Sequence, residues 1–123
     1  MKCGYSFRDI TPPVGCHLTG NPYLRIADGV AEPLFVRAVA FEEESLAVIL
    51  CFDLIGILRS DALKLRSFIA AGLSLPEENV LLTFTHTHTG PNLDSSFFPL
   101  NEYLLHSLKD LALAAAQGAI SDL

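Results

Sequence analysis

The sequence has no long hydrophobic run, which excludes a membrane-spanning helix. Such a helix needs about 20 predominantly apolar residues, whereas the longest apolar stretches, residues 46–58 and 111–120, are interrupted by polar residues such as Asp53 and Gln117. An export leader is not visible either, because Lys2 is followed by small and polar residues rather than by an apolar run. We therefore expect a chain without a transmembrane segment and favour the cytoplasm as its compartment.

Basic residues and cysteines are also scarce. The 123 residues include 8 Lys and Arg against 14 Asp and Glu, a formal net charge of -6, and the basic residues form no cluster. Nucleic acid binding depends on clusters that neutralise phosphates, so nucleic acid is excluded as a partner. The three cysteines, Cys3, Cys16 and Cys51, are an odd number without CxxC spacing, which argues against a disulfide scaffold.

The amino-terminal half has the pattern of a β-sheet. Alternation from Cys3 to Phe7 predicts a first strand, which ends before two prolines. Residues 14–31 show no sustained period and are expected to form a long ordered loop. Residues 34–41 and 46–52 flank a polar turn and predict a hairpin, whose second strand should be interior to the sheet and buried on both faces.

The other half adds two helices and one more strand. Ser60 is a candidate cap for a helix that begins at Asp61, and residues 80–84 form a short apolar strand. A strand, a helix and a strand within about 40 residues form a crossover that joins parallel strands. A second helix is expected at residues 101–117. The predicted class is α/β, with a mixed sheet that contains a hairpin and a parallel β-α-β crossover, and with helices packed on the sheet.

The segment most informative about chemistry is a His-x-His pair, His86 and His88, directly after the apolar strand. Ligands of open α/β sheets gather beyond the carboxyl ends of the strands. In extended geometry both imidazoles would share one face, about 6.5–7 Å apart, and Thr85, Thr87 and Thr89 would point the other way. The pair then suits one metal ion, or one ligand and one substrate contact. The alternative is a pair of hydrogen-bonded surface histidines.

Asp53 is the best candidate to assist the histidines, because it follows the neighbouring strand. Its carboxylate could bond an imidazole N–H from the second shell or bind the metal directly; equally, it could serve a nearby backbone amide. Asp9 is interpreted as a structural turn residue, and His17 and His106 as non-catalytic. A catalytic zinc normally takes three protein ligands and keeps one open position, and the sequence does not obviously supply them.

Four stretches, in order, carry a family resemblance. Residues 79–91, NVLLTFTHTHTGP, resemble the signature of the neutral/alkaline, non-lysosomal ceramidase family. Residues 9–13, DITPP, residues 29–34, GVAEPL, leading into Arg37, and residues 53–56, DLIG, match as well. The resemblance spans nearly the whole chain.

The resemblance implies a zinc amidase that cleaves the N-acyl bond of ceramide, with Zn2+ as cofactor. His86 would be a zinc ligand, and His88 would be a catalytic residue that hydrogen-bonds the substrate or the developing oxyanion. The family completes its site with a second histidine, a glutamate, a tyrosine and an arginine far downstream. Residues 1–123 would therefore be the amino-terminal part of a catalytic domain, an incomplete fragment. The family often has Gly-Tyr at the position of Gly20 and Asn21.

Two other function classes stay open. One is a non-catalytic binding or assembly module that retains the fold, and the other is a metal-dependent hydrolase of a different ester or amide. The expected ligand of the leading hypothesis is a small lipid-like N-acyl amide. An unpaired sheet edge would also favour a homo-oligomer.

Overall fold

The computed structural model describes residues 1–94 and 100–123. Its elements follow the sequence in an order that begins with strands and ends with a long helix. They are β1 (Lys2–Asp9), β2 (His17–Leu18), β3 (Arg25–Ile26), β4 (Phe35–Glu42), β5 (Leu46–Phe52), α1 (Arg59–Leu73), a 3-10 turn (Glu77–Asn79), β6 (Val80–Phe84) and α2 (Glu102–Ser121). Within the described ranges, neither helix combines the length and apolarity needed to cross a bilayer.

The main sheet is mixed, as predicted. Its strand order is β1-β4-β5-β6. The β4–β5 hairpin is antiparallel, β1 adds to β4 in antiparallel fashion, and β5 pairs with β6 in parallel across the α1 connection. The predicted hairpin and β-α-β unit are therefore confirmed. The loop at residues 14–31 contains a small second sheet, in which β2 pairs with β3.

Both helices lie on the same face of the sheet. The core between them is built from strand residues of alternating position, such as Val36, Leu50 and Phe52, all fully buried. The helix α2 contacts β1 and β4, and α1 contacts β6 and α2. The packing follows from the period of 2 in the strands and the apolar stripe of each helix.

Small residues let α2 approach the sheet very closely. A Cβ atom added at Gly4 of β1 would lie 2.1 Å from the Ala119 carbonyl oxygen, and one at Gly118 would lie 2.4 Å from Ser6 Oγ. This contact explains why the helix continues to Ser121 rather than ending at residue 117 as predicted. Gly118 is a contact point with the sheet, not a helix terminator.

The start of α1 was also predicted wrongly, two residues too late. The helix begins at Arg59, and the Leu58 carbonyl accepts from the backbone N–H groups of Asp61 and Ala62. Ser60 therefore lies inside the first turn and is not the cap. At the other helix, the Asn101 side chain accepts from the Leu104 N–H, which is an N-cap bond.

The second face of the sheet is open, so β5 is not buried on both faces as predicted. Tyr5, Val39, Ile49 and Leu81 are direct cross-strand neighbours and form one apolar row over all four strands. Ile49 is 37% exposed and Leu81 is 54% exposed. Because both helices occupy the opposite face, every second residue of β5 remains accessible.

The close helix-to-sheet contact predicts a large effect of a single methyl group. We expect Gly4→Ala to lower the free energy of unfolding by about 1–3 kcal/mol, because the backbone of α2 must move to admit the added atom. Gly29→Ala is the matched control, since a Cβ there meets nothing within 4 Å. Urea unfolding of both variants measures the difference, and equal midpoints would contradict the packing described here.

Candidate functional site

The histidine segment leaves β6 and lies on the loop that follows β5. The Thr85 N–H donates to the Phe52 carbonyl at 2.9 Å, and the His86 N–H donates to the Leu54 carbonyl at 3.0 Å. His86 has a φ of 61°, in the left-handed region. The predicted extended geometry was therefore wrong, because the β5 loop offers carbonyl groups that draw the backbone out of the strand conformation.

The ring of His86 is held by one further carbonyl of this loop. Its Nδ1 atom lies 2.8 Å from the Ile55 carbonyl oxygen. A carbonyl oxygen only accepts, so Nδ1 carries a proton, and in the corresponding tautomer the lone pair is on Nε2. Metal-binding histidines generally have this arrangement, in which the second nitrogen donates to a backbone carbonyl or carboxylate. The residue thus fits a zinc ligand.

The ring of His88 lies beside that of His86. The two ring centroids are 5.2 Å apart with an interplanar angle of 68°, and both residues are exposed. Gly20 packs against the other side of His88, where an added Cβ would lie 2.6 Å from the ring atom Cγ. The two imidazoles are therefore neighbours, as the sequence predicts, although the backbone brings them together by a turn.

The threonines of the segment are on a different side. Thr85, Thr87 and Thr89 line a cavity of about 590 Å³ whose lining includes neither histidine. The hydroxyl groups of Thr87 and Thr89 are 2.9 Å apart, and the Thr89 N–H donates to Thr87 Oγ1. These bonds stabilise the turn, so the predicted separation of threonine and histidine side chains is confirmed.

Asp53 lies at the carboxyl end of β5, but its side chain turns toward β4. Its Oδ2 atom accepts from the Phe35 N–H at 3.0 Å and from Arg37 at 2.5 Å. The hydrogen bond to Asp53 raises the pKa of the Arg37 guanidinium above its usual value, against a smaller opposing effect of burial. The group that contacts the His86 ring is the Ile55 carbonyl, not the Asp53 carboxylate.

The remaining candidates are Asp9, His17 and His106. Asp9 Oδ1 accepts from the Thr11 N–H at 2.7 Å, and hydrogen bonds from Thr11 lower the pKa of Asp9. His17 is in β2, with its carbonyl bonded to the Asn92 N–H, and His106 is an exposed residue of α2. Across residues 1–94 and 100–123, no three His, Cys, Asp or Glu side chains converge as a metal cluster.

Two positions that contact the histidine rings were not identified by the sequence analysis. The Ile55 carbonyl fixes the His86 ring, and Gly20 leaves room for the His88 ring. A carbonyl gives no sequence signal. Gly20 gives only the signal of any loop glycine, which Gly15 and Gly29 share although a Cβ at either of those meets nothing within 4 Å. The φ of 93° at Gly20 and its contact with His88 both require glycine.

A cleft of about 510 Å³ borders Gly20 and Ile55, the two residues that contact the rings of His88 and His86. It lies between the loop of Gly20 and the loop of Ile55. Its lining is Thr19, Gly20, Asn21, Pro22, Ile55, Gly56, Ile57, Leu58, Asn92 and Asp94. One wall is thus largely apolar, and the other carries amide and hydroxyl groups.

The fold matches solved ceramidase structures. The chain superposes on a neutral ceramidase from Pseudomonas aeruginosa with a TM-score of 0.81 and 22% identity, covering 98% of this chain and 21% of that one. A ceramidase in complex with C2 gives a TM-score of 0.79 and 23% identity over the same shares. The fold is that of part of a ceramidase. The chain spans about a fifth of these ceramidases, and the resemblance predicted from the sequence is confirmed at the level of the fold. No protein-family model and no curated protein matches the sequence.

The contact between Gly20 and His88 can be tested with a pair of alanine variants. Gly15 and Gly20 have φ values of 94° and 93°, but only Gly20 has a neighbour in the path of a Cβ atom. Both substitutions should cost about 1–2 kcal/mol of unfolding free energy through the left-handed backbone. Only Gly20→Ala should shift the NMR signals of the His88 ring. Equal ring shifts in both variants would show that Gly20 does not position His88.

Proposed function

We propose that this chain is part of a zinc-dependent hydrolase that cleaves the N-acyl amide bond of a ceramide-like lipid. The observation that supports it best is the pairing of two imidazoles 5.2 Å apart at the carboxyl end of β6. One of them, His86, has its Nδ1 proton fixed by Ile55 and its Nε2 atom available as a ligand. The likeness to a ceramidase fold supports this reaction class.

The two histidines would have different roles in the reaction. His86 would hold the metal through Nε2, the nitrogen that generally binds zinc when Nδ1 donates to a carbonyl. Zinc, when bound, supplies Lewis acidity toward an amide carbonyl and toward water. His88 would donate a hydrogen bond to the carbonyl oxygen of the substrate as negative charge develops there. Gly20 keeps that ring within reach of its partner.

The loops of Gly20 and Ile55, which contact the two histidines, also form a cleft, and this cleft supports a lipid-like substrate although its lining includes neither ring. Pro22, Ile55, Ile57 and Leu58 form an apolar wall suited to part of an acyl chain, and Thr19 and Asn21 provide polar groups for an amide or hydroxyl. The cleft is open, so the substrate could enter from solvent. The chain spans 21% of the ceramidases that it matches. We therefore propose that further zinc ligands come from polypeptide outside these 123 residues.

Zinc titration of the purified chain tests the metal assignment. We expect His86→Ala to weaken zinc affinity by more than about tenfold, since even second-shell changes cost 10–100-fold in metal sites. His106→Ala is the control, because it removes an exposed histidine from α2 without touching the site. Equal zinc binding by all three proteins would refute the assignment.

Activity is measured on the longest natural polypeptide that carries these residues. Short-chain N-acyl sphingosines, other amides and phosphoesters form the substrate panel. We expect amide hydrolysis that is lost on chelation and restored by zinc. His88→Ala should lower kcat about 100-fold or more while zinc content is kept, as for the loss of an oxyanion donor. Preference for phosphoesters would instead support another metal hydrolase.

A binding or assembly module is the second candidate, favoured by the open sheet face. The row from Tyr5 to Leu81 is apolar across four strands, and a flat apolar surface of this kind suits a second sheet. A second copy of the chain would be the partner. Under this candidate, Ile49→Lys should raise the dimer dissociation constant at least about tenfold, because it buries an unpaired charge. Light scattering against concentration, with Tyr103→Lys on α2 as control, measures this. A monomer at all concentrations removes this candidate.

A further inference from the structure

We propose that Asp53 is a positioning residue for His86, acting through the backbone of the β5 loop rather than by touching the ring. Its carboxylate anchors the loop to β4, and the carbonyl groups of the same loop select the His86 tautomer with the proton on Nδ1. The proposal deepens the zinc hypothesis. It rests on that hypothesis in one respect, because the tautomer with its proton on Nδ1 leaves Nε2 as the nitrogen that would bind zinc. The geometry itself is independent of any metal.

The first step is the set of carbonyl groups beneath the histidine segment. Phe52, Leu54 and Ile55 present three carbonyls, which accept from the Thr85 N–H, the His86 N–H and the His86 ring in turn. A left-handed φ costs a non-glycine residue roughly 1–2 kcal/mol, so it persists only where surrounding bonds determine it. The position of residues 52–55 therefore decides the orientation of the His86 ring.

The second step is what holds those residues. Asp53 lies between Phe52 and Leu54, and it is bonded to Phe35 of β4 in both directions. Its N–H donates to the Phe35 carbonyl at 2.9 Å, and its carboxylate accepts from the Phe35 N–H at 3.0 Å. Leu54 is buried in the core at 1% exposure. The loop is thus fixed from β4 on one side and from the core on the other.

The third step is the charge partner. Arg37 donates to the same Oδ2 atom that binds the Phe35 N–H, and its guanidinium lies 5.0 Å from the centre of the Phe35 ring. The Asp53 side chain is only 16% exposed. Partial removal from water strengthens this charge-assisted bond. A carboxylate suits this position because both of its partners, the amide and the guanidinium, are donors.

The test measures the tautomer of His86 directly on the zinc-free chain. Long-range 1H–15N NMR in alkaline buffer, where imidazole is neutral, distinguishes a proton on Nδ1 from one on Nε2. We expect His86 to be mostly protonated on Nδ1 in the unaltered chain. In Asp53→Ala the ratio should fall by about fivefold, equivalent to one hydrogen bond of about 1 kcal/mol. Asp53→Asn keeps an acceptor for the Phe35 N–H and should restore at least half of the change.

The matched control is Asp122→Ala. Asp122 also uses a carboxylate to accept a backbone N–H, that of Tyr5 at 2.9 Å, but it follows α2 and contacts β1, the edge strand opposite β6. This variant should lose stability without altering the His86 tautomer. Should Asp53→Ala fail to fold, Arg37→Gln removes only the charged partner and should shift the ratio in the same direction.

The outcomes separate the two proposals. An unchanged tautomer ratio in folded Asp53→Ala, or an unaltered chain with its proton on Nε2, overturns the positioning role whatever zinc does. A ratio that shifts as expected supports the role. If that same chain binds no more zinc than His86→Ala, the metal assignment fails and the positioning role stands.

Discussion

The parallel pairing of β5 with β6 is the constraint on which the site depends. Phe52 and Phe84 are register partners at the last step of this ladder, and their rings stack at 5.3 Å between centroids. Both strands therefore end at the same edge of the sheet, and the segments that follow them lie side by side. The N–H groups of the segment after β6 then find the carbonyls of the segment after β5. An antiparallel pairing would place these ends at opposite edges and separate the histidines from the carbonyls that fix them.

Much of this arrangement is predictable from residue patterns, because strand pairing and crossover direction follow from short apolar runs and the helix between them. The placement of the two imidazoles was predicted correctly but for the wrong reason. An extended His-x-His puts both rings on one face, whereas in the structure the chain turns at His86, with φ at 61°. The turn depends on carbonyl positions, and every residue has a carbonyl. Sequence therefore indicates which side chains take part in the site and is silent on the backbone groups that orient them.

The misjudged elements share a cause as well. The second helix was expected to end at residue 117, before Gly118, but the lack of a side chain at Gly118 serves the contact with Ser6 on β1. The continuous apolar run of β5 was interpreted as burial on both faces, yet the helices cover only one. In both cases the residue type reflects a tertiary requirement. The sequence shows a residue suited to close approach and a strand with an apolar face. The local pattern does not reveal which element packs against either of them.

The tautomer of a single histidine has consequences beyond its own hydrogen bond. A neutral imidazole offers its lone pair on one nitrogen only, so a proton on Nε2 would put a donor where a cation must bind. With Nδ1–H bonded to Ile55, the nitrogen proposed to bind zinc would be ready before the ion arrives, and the ring would lose little further freedom on binding. The strained backbone of His86 is consistent with this, because strain persists where neighbouring bonds over-determine a conformation. The carbonyls of Phe52 and Leu54 impose the turn and the carbonyl of Ile55 prepares the ring, so one short segment ties the local cost of the fold to the chemistry proposed for it.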